Sequence, residues 1–216
     1  KKRIITSIGL LSLLTTMYLY SFIMIGALLI IGIIIWIEFY ALISKIIRGN
    51  KFQDIFFRFI FKSASLLYLS TFVGFIFVIE SHYIDLKIYL LYSVLVAILS
   101  DIGGLVFGKT FKGKKLTKIS PNKTISGSIG SIVLSMVLIP IFYSELIIYD
   151  LFTLIILTIV ISLVSQIGDL FISFLKRKAK VKDTSNLLPG HGGLLDRVDG
   201  IIFAVPVGIF LLNFLN

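Results

Sequence analysis

Residues 173–199 form the densest run of ionisable side chains in a sequence that is otherwise mostly leucine, isoleucine and phenylalanine. Asp169, Ser173 and Lys176 follow at intervals of four and three residues, which places them on one face if a helix runs through them. Downstream, glycines surround a histidine before further acidic and basic residues. Carboxylates bind hard cations, basic groups bind phosphate oxygens, and glycines let the backbone approach closely. The pattern therefore indicates a site for a metal-bridged polyphosphate.

The segment contains a serine, a Lys-Arg pair, a Lys-Asp pair, a small residue, His-Gly-Gly and Asp-Arg-x-Asp at fixed spacing. These positions are Ser173, Lys176, Arg177, Lys182, Asp183, Ser185, His191, Gly192, Gly193, Asp196, Arg197 and Asp199. Together they resemble the signature of the phosphatidate cytidylyltransferase (CDP-diacylglycerol synthase) family at every fixed position.

The resemblance implies a nucleotidyltransferase of phospholipid biosynthesis that converts CTP and phosphatidate into CDP-diacylglycerol and pyrophosphate. The attacking lipid phosphate is already anionic, so the reaction needs no strong general base. Charge neutralisation and positioning carry the catalysis, with Mg²⁺ as the implied cofactor. A second cation and a homodimer are left open, and membrane lipids are the expected surroundings.

This chemistry suggests roles for individual residues, and the two aspartates that flank the basic loop from two helices come first. Asp169 and Asp196 are the predicted Mg²⁺ ligands, and Asp199 and Asp183 are further ligands or orient the basic side chains. Ser173 binds metal or phosphate. The predicted phosphate-binding cations are Lys176, Arg177, Lys182 and Arg197, arginine having the planar fork that suits bidentate contact. Two roles stay open for His191, a phosphate donor or a loop-stabilising imidazole, while Gly192 and Gly193 allow close backbone approach.

Residues 120–124, Ser-Pro-x-Lys-Thr, resemble a second motif of the same family. Lys123 and the hydroxyl groups of Ser120 and Thr124 are predicted to bind phosphate oxygens, with proline fixing the turn. The alternative is a solvated basic loop. Ser126 departs from the family, because many members have glutamate there.

Two further carboxylates fall within apolar stretches. Asp101 lies near the end of an apolar run, and such a carboxylate is costly enough to suggest a substrate-binding role. The alternative is a helix-end residue that reaches water. The family resemblance favours the first, although Ile102 and Leu105 differ from the expected threonine and tyrosine. Glu38, beside Trp36, is expected near a membrane interface in a structural role.

Composition places these residues in a membrane protein. The 216 residues are 57% hydrophobic and contain no cysteine, which excludes an ordinary soluble domain, a disulfide framework and a thiolate metal site. Apolar runs near the length of a membrane span occupy about 4–20, 21–43, 63–80, 84–107, 125–143, 146–175 and 200–215. We expect an all-α polytopic protein with about seven transmembrane helices, the first one retained.

The basic residues predict the orientation of the spans. Segments 1–3, 44–62, 108–124 and 176–197 hold 3, 5, 6 and 6 Lys or Arg, which is 20 of the 21 in the chain. By the positive-inside rule these segments lie in the cytoplasm, and the expected location is the bacterial inner membrane with the active site facing the cytoplasm.

Segment 44–62 has phenylalanine and isoleucine at helical spacing among its cations, which favours an interfacial amphipathic helix over a simple basic linker. We divide the chain into residues 1–62, with the first helices and this segment, and a catalytic membrane domain at 63–216.

Three interpretations of function compete: the cytidylyltransferase, a CTP-dependent polyprenol or lipid kinase of similar topology, and a small ion transporter that uses intramembrane aspartates. The complete signature disfavours the kinase. A transporter leaves the His-Gly-Gly segment unexplained. Short basic loops beside a membrane are accounted for by anionic headgroups, so we expect no nucleic-acid partner.

Overall fold

The computed structural model describes residues 2–83, 86–117, 120, 123–146, 149–188, 190 and 192–214. Within these ranges the chain is helical, without strands, and its only β-pairings are two isolated bridges. The helices are α1 (Lys2–Leu19), α2 (Ser21–Ile46), α3 (Phe52–His82), α4 (Lys87–Phe111), α5 (Ile125–Ser135), α6 (Leu138–Phe142), α7 (Leu151–Lys178), α8 (Leu195–Val198) and α9 (Ile201–Phe214). The predicted all-α class is confirmed.

Five stretches among the described residues are long and apolar enough to cross a membrane. They are α2, α3, α4, the α5–α6 stretch Ile125–Phe142, and α7. These correspond to five of the seven predicted runs, and the protein is therefore an integral membrane protein. The other two runs are helical as α1 and α9, but α9 has 14 residues and spans only about 21 Å. The count of seven spans stays a prediction.

The helix boundaries within segment 44–62 are not those of a separate helix, and the interfacial position of the segment stays a prediction. Residues up to Ile46 belong to α2, and a single helix of 31 residues runs from Phe52 to His82. No separate amphipathic helix ends at residue 62, because Phe52–His82 contains no proline and only one glycine to interrupt it. At about 46 Å, this helix exceeds the roughly 30 Å hydrocarbon core of a bilayer.

The chain forms two compact units. The first comprises residues 1–82 and 175–198, and the second comprises residues 83–174 and 199–216. Both units therefore draw on two separate parts of the chain. These units divide the chain elsewhere than the predicted functional boundary at residue 62, which concerns chemistry and stays a prediction.

In the first unit, polar and aromatic side chains pair α2 with α3. The Trp36 indole Nε1 donates to the carbonyl oxygen of Lys62 at 3.4 Å, and the Lys62 ammonium lies 3.3 Å from the centre of the Tyr40 ring. One turn away, Gly32 faces Val73 with little space to spare. These contacts fix the rotation of α2 about its axis, which decides where its other side chains point.

In the second unit, small residues let α4 and α5 approach closely. Gly103 lies against the backbone of Gly130 and Ser131, so that a methyl group there would overlap it. The Ser131 hydroxyl donates to the Ser100 carbonyl at 2.6 Å, and the Ser100 and Ser162 hydroxyls are 2.9 Å apart. Small residues and interhelical hydrogen bonds are how membrane helices associate, since the lipid offers no hydrophobic driving force between them.

This crossing yields a test of the packing. Gly103→Ala should lower the stability of the protein in detergent by about 1–3 kcal/mol, because the added methyl meets backbone that has no flexible end to move. Gly74→Ala is the matched control, since no atom lies within 4 Å of its added methyl and alanine favours helix. Thermal unfolding measures both. Equal midpoints for the two variants would contradict the close crossing.

Candidate functional site

The carboxyl end of α7 turns the chain back towards the helix. The N–H of Val181 bonds the carbonyl of Lys176 at 3.0 Å, and that of Lys180 bonds the carbonyl of Arg177 at 3.1 Å. Lys180 adopts φ of 56°, so the pair forms a Schellman motif with lysine at the left-handed position usually taken by glycine. α7 runs unbroken to Lys178, which confirms the helix predicted through Asp169, Ser173 and Lys176.

In the first unit, Asp196 is the centre of a cluster with Glu38, Lys176, Thr184 and Gly193, called here the Asp196 cluster. The Lys176 ammonium lies 2.6 Å from Oδ1 of Asp196. Oδ2 accepts from the Thr184 N–H at 2.8 Å, the Thr184 hydroxyl at 2.9 Å and the Gly193 N–H at 2.9 Å. The side chain is only 4% exposed. The network therefore joins the end of α7 to both ends of the following loop.

The environment of Asp196 keeps this carboxyl ionised. Burial by itself raises the pKa, since a low dielectric disfavours charge. The hydrogen bonds from Lys176, Thr184 and Gly193, with the positive charge of Lys176, outweigh burial and hold the pKa below its ordinary value. A paired, ionised carboxylate is thus built into the loop.

The two glycines of His-Gly-Gly are explained by space and backbone angle. Gly192 has φ of 83°, a conformation that side chains rarely adopt, and an added Cβ would lie 2.9 Å from Asp196 Oδ2. At Gly193 an added Cβ would overlap the Thr184 hydroxyl and the Glu38 carboxylate. The close backbone approach predicted for both glycines serves these two carboxylates in the structure.

Glu38 reaches the same loop from α2 and is 5% exposed. Oε2 accepts from the Thr184 hydroxyl at 2.9 Å and the Leu195 N–H at 2.8 Å, and Oε1 accepts from the Ser185 hydroxyl at 2.5 Å and the Leu194 N–H at 3.0 Å. The sequence interpretation assigned Glu38 a structural role but missed its contact with the signature segment, and it gave Thr184 no role. A carboxylate inside an apolar run was the available signal.

In the second unit, Asp169 contacts Lys123 and Ser173, and these three residues with Thr124, which follows Lys123 in the chain, are called here the Asp169 cluster. Lys123 forms an ion pair with Oδ2 of Asp169, and the Ser173 hydroxyl donates to Oδ1 at 3.3 Å. Thr124 caps α5, because its hydroxyl oxygen accepts the Gly127 N–H at 3.1 Å. Residues of the second motif and of the signature are thus brought together here.

Hydrogen bonds close the loop between α4 and α5. Ser126, where many family members have glutamate, donates its hydroxyl to the carbonyl of Lys112 and lies 3.0 Å from the Thr124 hydroxyl. The carbonyl of Ser120 accepts from the Lys123 N–H at 3.1 Å. Ser126 therefore ties the end of α4 to the start of α5.

The remaining predicted residues lie outside these two clusters. Asp199 is buried, and its Oδ1 accepts the Gly200 N–H at 3.0 Å. Five others have exposed side chains: Asp101, Arg177, Lys182, Asp183 and Arg197. The predictions for His191 and for Pro121 fall outside the described residues.

The carboxylates differ in their capacity for a metal ion. Among the described residues no three carboxylate or imidazole groups converge on one point. Mg²⁺ needs only one or two carboxylates when substrate phosphates complete its shell. Asp169 fits that donor set, because it is 25% exposed and accepts from only one hydroxyl and one ammonium. Asp196 already faces four donor groups, three of them at Oδ2, so Oδ1, which Lys176 contacts, is the oxygen with room for a direct ligand.

Comparison with known proteins gives one consistent result. The model of the Cytidylyltransferase family matches residues 1–215. Phosphatidate cytidylyltransferases are among the relatives. That of Staphylococcus saprophyticus is 35% identical over 177 residues, and that of Staphylococcus aureus is 37% identical over 177 residues, each alignment covering 81% of this chain and 66% of the relative. That of Bacillus subtilis is 44% identical over 127 residues, 57% of this chain and 47% of the relative.

The chain spans about half to two thirds of the length of these curated relatives. The family match, by contrast, extends over nearly the whole chain. It includes both motifs and every residue of the Asp196 and Asp169 clusters. The chain belongs to the cytidylyltransferase family.

Proposed function

We propose that this protein is a phosphatidate cytidylyltransferase, which transfers the cytidylyl group of CTP to phosphatidate. The observation that carries the proposal is the Asp196 cluster, in which the family signature forms a hydrogen-bonded loop around an ionised carboxylate and a lysine. Relatives named for this reaction support the same assignment.

A phosphate oxygen of phosphatidate attacks the α-phosphorus of CTP. A new P–O bond forms to the lipid phosphate, and the bond from the α-phosphorus to the bridging oxygen breaks. Pyrophosphate leaves, and CDP-diacylglycerol remains in the membrane. Such a transfer requires positioning and neutralisation of charge on the phosphates.

The two clusters supply charged groups suited to this task. Lys123 and Lys176, each paired with an aspartate, are proposed to bind phosphate oxygens. The exposed side chains proposed to add to this role are Arg177, Lys182 and Arg197. Asp169 is proposed to hold Mg²⁺ together with substrate phosphates, and Asp196 stays a predicted ligand. When bound, the ion would neutralise charge on the departing pyrophosphate.

The membrane arrangement is part of the proposal. Seven spans with the amino terminus inside would put both basic loops, 108–124 and 176–197, on the cytoplasmic face of a bacterial inner membrane. The length of α3 supports a cytoplasmic extension of its first turns, where Arg58 and Lys62 meet lipid headgroups. Phosphatidate would then lie among the membrane lipids with its phosphate at loop depth. A homodimer and a second cation stay open.

Labelled CTP tests the reaction and separates it from a lipid kinase. Purified protein with phosphatidate, detergent and Mg²⁺ should move label from the α-phosphate of CTP into lipid and leave label from the γ-phosphate in pyrophosphate. A kinase would do the reverse, transferring the γ-label to lipid. Transfer of γ-label, or no lipid product, would overturn the proposal.

Asp196→Asn should lower turnover by about 10²-fold, equivalent to about 2.7 kcal/mol, because it removes the charge that orders Lys176 and the loop. It should also lower stability, since at least one donor loses its acceptor. The lowered pKa means that the stabilising contribution of Asp196 is complete above about pH 4 and is lost as the pH falls through that pKa. Turnover and thermal unfolding between pH 3 and 7 measure these effects.

Asp150→Asn is the matched control for this substitution. Asp150 is exposed and accepts from Thr153 and Phe152 at the start of α7, and asparagine caps helices about as well as aspartate. Near-normal turnover of Asp196→Asn, or equal damage from the control, would refute the role of Asp196.

Lys123→Ala should raise the KM for CTP about tenfold or more while changing stability little, because the ion pair with Asp169 is about a quarter exposed and such pairs contribute little to folding. Lys109→Ala, which removes an exposed cation at the end of α4, is the control. Steady-state kinetics at limiting CTP measure the effect. An unchanged KM would show that residues 120–124 form a solvated basic loop that does not bind CTP.

The chain lacks cysteine, so single introduced cysteines report its orientation. Cysteines at Lys115 and Asn186 should resist an impermeant thiol reagent added outside intact cells and should react after the membrane is opened. Both side chains are exposed in the structure, so burial does not protect them. Labelling of either from outside would contradict the proposed topology.

A further inference from the structure

Glu38 of α2 contacts the signature segment through its carboxylate. Four donor groups lie within hydrogen-bond distance of its carboxylate: the hydroxyls of residues 184 and 185 and the N–H groups of Leu194 and Leu195. The Thr184 hydroxyl has one proton, which it shares between Glu38 and Asp196. Every partner belongs to the loop between α7 and α8 or to the start of α8. A carboxylate buried to this degree is costly unless donors surround it, and here the loop supplies all four.

We propose that Glu38 is a positioning residue for cytidylyl transfer, which holds the loop in the conformation that presents Asp196 and Lys176. This inference rests on the proposed function. Glu38 acts on the reaction through the loop and is not itself placed against substrate.

The hydrogen bonds show how Glu38 affects the position of Asp196. The Thr184 hydroxyl is 2.9 Å from Glu38 Oε2 and 2.9 Å from Asp196 Oδ2, so one side chain lies between both carboxylates. Leu194 precedes α8 and Leu195 is its first residue, so their N–H groups have no partner within that helix. By accepting from them, Glu38 fixes the backbone one residue before Asp196.

The position of Glu38 is itself defined by neighbours on α2. Trp36 and Tyr40 contact Lys62 of α3, which sets the rotation of α2 and aims residue 38 at the loop. Gly193 leaves the space through which the carboxylate reaches Thr184, because any side chain there would overlap both. The arrangement therefore depends on helix, loop and glycine together.

Glu38→Gln tests the inference, because glutamine keeps the shape but presents an NH₂ group where a donor already points. We expect hydrogen exchange of the Leu194 and Leu195 amides to speed up about 10-fold or more. We expect kcat to fall about 10- to 100-fold, with a smaller change in the KM for CTP. Glu38→Asp, which keeps the charge, should recover part of kcat.

Glu80→Gln is the matched control, since Glu80 is also buried, lies on α3 and accepts from Ser21 far from the loop in sequence. It should change neither amide exchange at residues 194 and 195 nor kcat. A merely structural role for Glu38 predicts that both variants lower the unfolding temperature and that kcat of the folded fraction stays normal. That result would overturn the inference, as would faster exchange with unchanged kcat.

A second variant and a measurement that does not need activity complete the test. If Glu38→Gln does not fold, Thr184→Val removes the bridging hydroxyl from the loop side and should lower kcat similarly; normal kcat in that variant would overturn the inference. The exchange measurement does not need activity. Wild-type protein that makes no CDP-diacylglycerol overturns the proposed function, whereas unchanged exchange in Glu38→Gln overturns the anchoring by Glu38.

Discussion

Two buried carboxylates, Glu38 and Asp196, share the hydroxyl of Thr184 and determine the form of the loop between α7 and α8. In an apolar chain a carboxylate is stable away from water only when donors satisfy its oxygens. The loop meets that demand with backbone N–H groups, hydroxyls and one ammonium. As a result, Lys176 and Asp196 of the signature segment are held by the same interactions that stabilise the loop of the first unit. Positions 192 and 193 must be glycine, because a side chain there would crowd the Asp196 or Glu38 carboxylate.

The second unit is held together by close packing of helices. α4 and α5 approach through glycines, and serine hydroxyls bond backbone carbonyls across the crossing. At the start of α5 the Thr124 hydroxyl lies close to Gly108 of α4. This contact also places the preceding residue, Lys123, which pairs with Asp169. In both units a lysine is matched to an aspartate. Under the proposed function, phosphate oxygens of the substrates compete with each aspartate for its lysine.

The sequence predicted the helical class and the membrane setting because apolar runs of span length have one stable form in lipid. It also predicted the helix through Asp169, Ser173 and Lys176, since nothing in residues 151–178 interrupts a helix. Spacing cannot foretell contacts between residues far apart in the chain. Glu38 meets Leu194 across more than 150 positions, and only the folded first unit brings them together.

Other differences have local causes. Segment 44–62 was set apart because cations stand among its apolar residues, but helical hydrogen bonding continues past residue 62, since Phe52–His82 contains no proline. Thr184 was overlooked because it occupies none of the fixed positions of the family signature. Its importance comes from lying between two carboxylates. Asp196 was selected by resemblance as a metal ligand, and the structure adds four donors that a motif cannot reveal.

Photo-cross-linking tests most directly the claim that the loop held by Glu38 and Asp196 meets the nucleotide. A CTP analogue with a photoreactive group on its terminal phosphate would be irradiated with the protein in detergent, and labelled peptides identified by mass spectrometry. We predict labelling within residues 176–197 that excess CTP suppresses and that Asp196→Asn weakens. Labelling absent from this segment and confined to residues 44–62 or 143–150 would contradict the account.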